Sequence, residues 1–215
     1  MVWICNVCGY RHEGPNPPDN CPLCGVAATE FQLESGEAPA SGAVASEAAF
    51  AASAGAADRL KAVAALSYGL YVITARATLD GRTIDNGQTA NTCFQITAEP
   101  LRLALGINKK NYTHELIKQS GAAGITVLHE GNIDLVRNFG YSSGRERDKF
   151  AGLTTRRSAA GILYPAGGLA AIETRVLSSL DAGTHTLFLC EVTEAWYDGG
   201  GAPMTYAWFS AHKRD

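Results

Sequence analysis

The feature that most constrains this chain is a pair of pairs: Cys5-Asn6-Val7-Cys8 and Cys21-Pro22-Leu23-Cys24, with twelve residues between them. Two thiolates two residues apart can reach one ion from a single tight turn. Two such turns supply four sulfurs in a tetrahedron, a donor set that suits zinc or iron. Gly9 and Gly25 follow the two pairs. Glycine tolerates a left-handed backbone, which lets N–H groups turn back toward sulfur and tune an iron site. A disulfide framework fits poorly, because short Cys-x-x-Cys pairs repeated in this way are metal spacing rather than the spacing of a secreted scaffold.

The rest of the composition narrows the setting. At 215 residues the chain has room for one full domain and a small appendage. Six cysteines, four of them in the metal pairs, suit a reducing compartment. The N-terminus has no basic region followed by an apolar stretch, so a secretory signal is not expected. No apolar run reaches the ~18 residues of a membrane-spanning helix. The expectation is a cytoplasmic protein. Net charge is −3, and in the first 34 residues Arg11 stands alone against Glu13, Asp19, Glu30 and Glu34. That balance argues against a nucleic-acid-binding zinc ribbon, which needs positive surface to neutralise phosphates.

The chain reads as three segments. Residues 1–34 form the metal module, with Trp3, Tyr10 and Phe31 as its expected core. A module below ~40 residues usually needs a metal or disulfide to fold. Residues 35–57 are rich in Ala, Ser and Gly and read as a linker, with transient helix expected around Ala45–Ala54. Such a tether would bring the module repeatedly near a partner site. Residues 58–215 form the large domain. There Leu60, Val63, Ala64 and Leu66 have helical spacing, with Asp58 as the expected cap and Gly69 as the stop. Strand-like text follows at residues 70–75, 92–97, 101–107, 123–128, 171–177, 186–192 and 206–209, and Asp80-Gly81 is a hairpin signal. Beyond that first helix, helices are few: one is expected after Thr113 and one near Asn132–Asn138. Many short strands with few helices point to a mainly β fold, an antiparallel barrel.

A second site is expected at Asp85-Asn86-Gly87-Gln88-Thr89-Ala90-Asn91-Thr92-Cys93. Small and hydroxyl residues at a turn and strand entrance let backbone N–H groups approach a ligand, and Thr89, Asn91 and Thr92 offer hydrogen bonds that a core does not need. A polar hairpin edge would look the same. Asn108-Lys109-Lys110-Asn111-Tyr112-Thr113 leads into the expected helix His114–Gln119, with Thr113 at its N-cap. Free N–H groups behind lysines make a phosphate site, although a capped surface helix is the plainer reading.

Two resemblances sharpen this picture. Trp3-x-Cys5, Cys8-Gly9-Tyr10, the run Gly14-Pro15-Asn16-Pro17-Pro18, Cys21-Pro22-x-Cys24-Gly25 and Phe31 resemble a rubredoxin-like domain, in the short form appended to rubrerythrins. The resemblance implies one iron on Cys5, Cys8, Cys21 and Cys24, carrying one electron at a time. A structural zinc ribbon would use the same four thiolates. The order Asn-Gly-x-Thr-Ala-Asn-Thr, Glu99-Pro100-Leu101, Asn-Lys-x-Asn-x-Thr resembles the flavin reductase-like FMN-binding family. The later Ser143-Gly144-Arg145-x-Arg147-Asp148-Lys149-Phe150 and Gly183-Thr184-His185-Thr186-Leu187-Phe188 fit the same pattern. That resemblance implies an FMN-binding split β-barrel and a homodimer. It implies Gln88, Thr89, Ala90, Asn91 and Thr92 along the isoalloxazine and ribityl chain, and Asn108, Lys109 and Thr113 at the phosphate. Lys149 and Phe150 would close the pocket, and His185 would lie near the reactive face. A lone histidine entering an apolar strand is, on chemistry alone, more often structural. Relatives with rubredoxin modules often carry Cys where Gln88 stands here, so the resemblance implies no thiol–flavin contact at that position, with Cys93 as a thiol expected nearby. Cys190 reads as a core thiol, and the aromatic residues Trp196, Tyr197, Tyr206, Trp208 and Phe209 as barrel core or dimer contact.

Joined in one chain, a flavin and an iron–tetrathiolate centre convert two-electron into one-electron chemistry. The resemblance implies an NAD(P)H-dependent flavin/rubredoxin oxidoreductase, similar to high-molecular-weight rubredoxins, that delivers electrons to a redox partner such as a flavodiiron protein. Two other readings stand beside it. One is a pure electron carrier without nicotinamide oxidation, since the chain lacks a Gly-x-Gly-x-x-Gly fingerprint. The other is a ferric or free-flavin reductase with a structural zinc module.

Overall fold

The structure is a computed structural model that describes residues 1–5, 10–22, 27–33 and 56–213. Cys8, Cys24, Gly9, Gly25 and the expected linker up to residue 55 lie outside the described residues. The chain divides into two compact units, residues 1–59 and 60–215.

In the first unit three short strands, β1 (Val2–Cys5), β2 (Arg11–Glu13) and β3 (Phe31–Leu33), form an antiparallel sheet in the order β2-β1-β3. The central strand carries Cys5 opposite Phe31 and Trp3 opposite both His12 and Leu33. Cys5, Cys21 and Phe31 are buried, with Trp3 and Tyr10 packed against them. The aromatic core is the expected one, and its centre is two cysteines.

Helix α1 (Ala56–Ala64) begins two residues ahead of Asp58, so the expected cap lies inside the helix, and it ends well before Gly69. Leu60, Val63 and Leu66 are 73%, 59% and 60% exposed. Their helical spacing is real, but in the single chain it covers nothing.

The second unit is built on β4 (Tyr71–Leu79), β5 (Arg82–Ala90), β6 (Cys93–Thr97), β7 (Arg102–Asn108), β8 (Ala122–Val127), β11 (Ala170–Asp181) and β12 (His185–Tyr197), with a separate hairpin of β9 (Thr155–Arg157) and β10 (Leu163–Pro165). The seven strands run antiparallel in the order β5-β4-β8-β11-β12-β7-β6. The two edge strands, β5 and β6, are joined by only Asn91 and Thr92, so the sheet must curl until its edges meet at that link. One interior cluster draws side chains from every strand of the sheet, including Ile73, Leu105, Ile125, Phe188 and Cys190. The mainly β barrel expected from the sequence is present, open along one seam.

Asp80 and Gly81 turn the first hairpin with φ of 49° and 75°. Both residues of such a turn need positive φ, which the Asp-Gly pair supplies. This hairpin pairs all of Arg82–Ala90 with Tyr71–Leu79. The stretch from Asp85 to Ala90 is therefore strand throughout, not the expected turn and strand entrance. Helix α2 (Tyr112–Ser120) inserts Leu116 and Ile117 into the interior cluster and ends at Gly121, φ 68°. Helix α3 (Ile133–Gly140) lies on the outside, where Val136 and Phe139 pack with Leu70, Val72, Leu128, Phe150, Met204 and Phe209.

One expected strand is a helix. Residues 206–209 belong to α4 (Tyr206–His212). The Thr205 hydroxyl accepts from Trp208 N at 3.1 Å and caps it. Aromatic residues favour strands, but here Phe209 is buried, and Trp208 packs partly against the same cluster while it stacks on His212 one turn later. That is helical spacing. Of the other expected aromatics, Trp196 packs edge-on against Tyr164, and Tyr197 is 83% exposed.

Candidate functional site

A cleft of about 410 Å³ runs along the free edge of β5, between that strand, the start of α2 and the segment after α3. Asn86, Gln88 and Thr89 line it from β5, Asn111, Tyr112 and Thr113 from α2, and Phe139 through Gly144 with Lys149 from the far wall. An edge strand presents unpaired backbone groups, and the first N–H groups of a helix lack intrahelical acceptors. The fold thus places polar backbone on two sides of one opening.

Asn111, not Thr113, is the N-cap of α2, with φ −77° and ψ 139°. Thr113 is fully buried in the first turn, and its hydroxyl oxygen accepts from Asn86 Nδ2 at 3.0 Å. The hydroxyl is tied across the cleft and so is not spent on capping. Thr89 Oγ1 donates to the Val136 carbonyl at 3.0 Å and ties β5 to α3. Gln88 is 7% exposed, and its Oε1 has no partner among the described residues. A buried amide oxygen left in this state lacks a donor that a ligand could bring.

Lys149 is buried, yet its Nζ donates to the Gly87 carbonyl at 3.0 Å and the Phe139 carbonyl at 2.9 Å. An ammonium has three hydrogens, so one remains after β5 and the end of α3 have been clamped together. Burial, and then the Arg147 charge, push its pKa down to about 8, against a smaller opposing pull from Glu146. The segment is braced further. Asn138 Nδ2 donates to the Lys149 carbonyl, and Arg147 donates to the Asn138 carbonyl and to its side-chain oxygen. Arg145 lies over the Tyr112 ring and pairs with Glu115.

The structure brings Gln88, Thr89, Thr113 and Lys149 together in this cleft. Phe150 stands behind it in the core, edge-on to Phe139. Ala90, Asn91 and Thr92 lead away along the seam. Thr92 crosses β7 at Gly106, where a Cβ would lie 2.6 Å from its methyl group. Asn108 and His185 face each other at the paired ends of β7 and β12. Lys109 is held in an ion pair with Asp181, and His185 is exposed beside the Thr184 hydroxyl. These residues border the cleft without lining it: the Asn108 carbonyl accepts from Asn111 N and its Oδ1 accepts from Lys110 N, both at 3.0 Å, and Lys110 and Asn111 are lining residues. Cys93 belongs to the barrel interior, where burial pushes its thiol up to about 12. It does not line the cleft and does not stand in for a thiol at Gln88. Cys190 is fully buried in the same cluster, as expected of a core thiol.

Asn86, Lys110, Ser143 and Gly144 stood inside the expected motif stretches without a role of their own, and Tyr141 and Ser142 were not singled out; all line the cleft. For Asn86 a signal existed: a large polar amide in a strand that reads as half-buried. Of the four expected metal ligands, Cys5 and Cys21 are 1% and 2% exposed and share one cluster, and the Cys5 N–H donates to the Tyr10 carbonyl at 2.9 Å. Buried thiols at the heart of a core this small fit a thiolate-bound metal.

Fold and site define the class: a curled antiparallel sheet with a polar cleft at a helix N-terminus, joined to a small cysteine-centred module. Comparison with known proteins makes this specific. Residues 63–214 match the flavin reductase like domain, and residues 3–32 match the rubrerythrin, rubredoxin-like domain. The chain belongs to the flavin reductase-like family and carries a rubredoxin-like domain at its N-terminus. It is 46% identical over 156 residues to the high molecular weight rubredoxin of Moorella thermoacetica, a match covering 72% of this chain and 66% of that protein. It is 37% identical over 151 residues to the ferric-chelate reductase (NAD(P)H) of Archaeoglobus fulgidus, covering 69% of this chain and 87% of that one. Among solved structures, the NADH:FAD oxidoreductase SgcE6 of Streptomyces globisporus superposes with a TM-score of 0.63 at 22% identity, over 70% of this chain and 88% of that chain. No described helix is long and apolar enough to cross a membrane.

Proposed function

We propose that this chain is an oxidoreductase that holds FMN in the β5–α2 cleft and iron on Cys5, Cys8, Cys21 and Cys24, and that passes electrons from NAD(P)H to a redox partner. The observation that carries the reading is the presence in one chain of a polar cleft with an unpartnered buried amide and a module centred on buried cysteines. When bound, the flavin supplies exchange between two-electron and one-electron steps, and the iron supplies one-electron carriage.

The chain's own residues do the rest. The N–H groups at the start of α2 and the Thr113 hydroxyl offer donors to a phosphate. Gln88 Oε1 offers an acceptor to a ring or ribityl donor. Lys149 keeps the far wall against β5 and leaves one N–H for the ligand. Asn108, Lys109 and His185, at the paired strand ends, are assigned to the rim where donor or cofactor is approached. The chain is read as one subunit of a homodimer. Phe94 and Ile96 on the edge strand β6 are 52% and 49% exposed, apolar surface that a second subunit would cover. By analogy with the high molecular weight rubredoxin, the partner is a terminal reductase such as a flavodiiron protein. A ferric chelate is the second acceptor to consider, favoured by the similarity to the ferric-chelate reductase.

Anaerobic stopped-flow mixing with NADH and with NADPH tests the proposal. Rapid bleaching of the flavin band, followed by bleaching of the iron–thiolate absorption, is the expected result. No bleaching with either nucleotide would reduce the protein to an electron carrier.

A further inference from the structure

We propose that Asn86 is a positioning residue that fixes the direction of the Thr113 hydroxyl, and so makes the cleft select a ligand bearing an anionic group. The inference rests on the FMN reading and names the residue that makes the site prefer a phosphorylated flavin to an unphosphorylated one.

Asn86 sits within β5 opposite Ala75 and is 3% exposed. Its Nδ2 donates to Thr113 Oγ1 at 3.0 Å. A hydroxyl has one hydrogen and two acceptor sites. With Asn86 occupying an acceptor site, the Thr113 hydrogen is left to donate. Thr113 lines the cleft in the first turn of α2, beside N–H groups at the positive end of the helix. The opposite amide orientation would draw the Thr113 hydrogen toward Asn86 and remove one donor from the opening. Close packing holds the side chain: a Cβ on Gly144 would lie 1.9 Å from Asn86 Oδ1. Gly144 therefore does more than turn the loop, since any side chain there would displace the amide.

The helix N-terminus does not stand alone. Gln88, two residues along the same strand and also lining the cleft, keeps its buried Oε1 without a partner among the described residues. The cleft therefore offers donors at one place and an acceptor at another. The ligand that satisfies both carries an anion and, elsewhere, an N–H or O–H group.

Apo-protein titrated separately with FMN and with riboflavin, read by quenching of flavin fluorescence, tests this on the full chain. A hydrogen bond to a charged group is worth roughly 10–100-fold in affinity. Asn86→Leu is expected to weaken FMN by about tenfold and riboflavin by less than about twofold. Thr113→Val should do the same, Thr113→Ser should restore FMN binding, and Asn86→Leu added to Thr113→Val should cost nothing further. If Asn86→Leu does not fold, Asn86→Asp keeps the shape but accepts the Thr113 hydrogen, and it should discriminate against FMN more strongly still. Equal losses for the two flavins, multiplying losses in the double variant, or unchanged FMN binding would overturn the proposal. Wild-type protein that binds neither flavin would overturn the FMN reading itself, a distinct outcome.

Discussion

The two units solve the problem of folding in opposite ways. The first has three strands of three or four residues and a core of two cysteines and an aromatic, Cys5, Cys21 and Phe31, flanked by Trp3 and Tyr10. The second has seven strands that all feed one apolar interior, plus an outer layer built on Val72, Leu128, Phe139 and Phe209. A module this small buries little surface to offset chain entropy, and on the proposed reading a metal held by its cysteines supplies what the core lacks. In the large unit the chemistry is grafted on. Asn86, Gln88 and Thr113 sit at an edge of a scaffold that the interior cluster already secures. Loss of the proposed metal should therefore unfold the first unit, whereas damage to the cleft should leave the second folded.

Metal removal gives the largest contrast. Structural tetrathiolate sites contribute on the order of 10 kcal/mol to folding. Cys21→Ser, or chelation, should abolish the dispersed amide signals of residues 1–33 in NMR while FMN binding by the large unit stays within about twofold. Loss of both together would mean that the units are not independent. The converse substitution is Leu105→Ala, at a fully buried position of β7. It should cost ~2–5 kcal/mol in urea unfolding of the large unit and leave the iron–thiolate absorption unchanged.

The same contrast governs what was legible in the sequence. In the small unit the packing of Trp3, Tyr10 and Phe31 around Cys5 and Cys21 could be read, because cysteines at fixed spacing and three aromatics leave a short chain few other ways to build a core. The barrel could be read from its Asp80-Gly81 turn and its β-branched runs. Local chemistry misled where tertiary structure decided. Tyr206–Phe209 has strand composition but follows the Thr205 cap. Thr113 has cap chemistry, but Asn86, 27 residues away in sequence, holds its hydroxyl. The Asp85–Ala90 stretch reads as a turn but is held as strand by a hairpin closed at residues 80–81. Asn86 and Gly144 stood inside the recognised stretches, but their contact could not be read, since only folding sets one against the other.

A smaller effect sharpens the comparison inside the site. Lys149 has its pKa lowered to about 8 from an ordinary 10.5. Below pH 8 both folded and unfolded chains hold the proton, and the folded state bears the full cost of a buried ammonium. Between pH 8 and 10.5 the unfolded chain binds the proton and the folded one does not, so this contribution becomes more favourable as pH rises. The stability difference between wild type and Lys149→Met should shift toward wild type between pH 7.5 and 10, measured by urea unfolding. No shift would place the lysine's titration at its ordinary value. Smallest of all, Thr205→Ala should cost ~1 kcal/mol by loss of the α4 cap, read as a lower urea midpoint with FMN affinity unchanged.

The central claim is that one chain holds two redox centres. The visible spectrum of purified protein, with flavin and metal analysis of the same sample, tests it most directly. The account predicts flavin bands together with thiolate-to-iron charge-transfer absorption and one iron per chain. Flavin with one zinc and no charge-transfer absorption would contradict it, leaving a flavin reductase whose first unit is only structural.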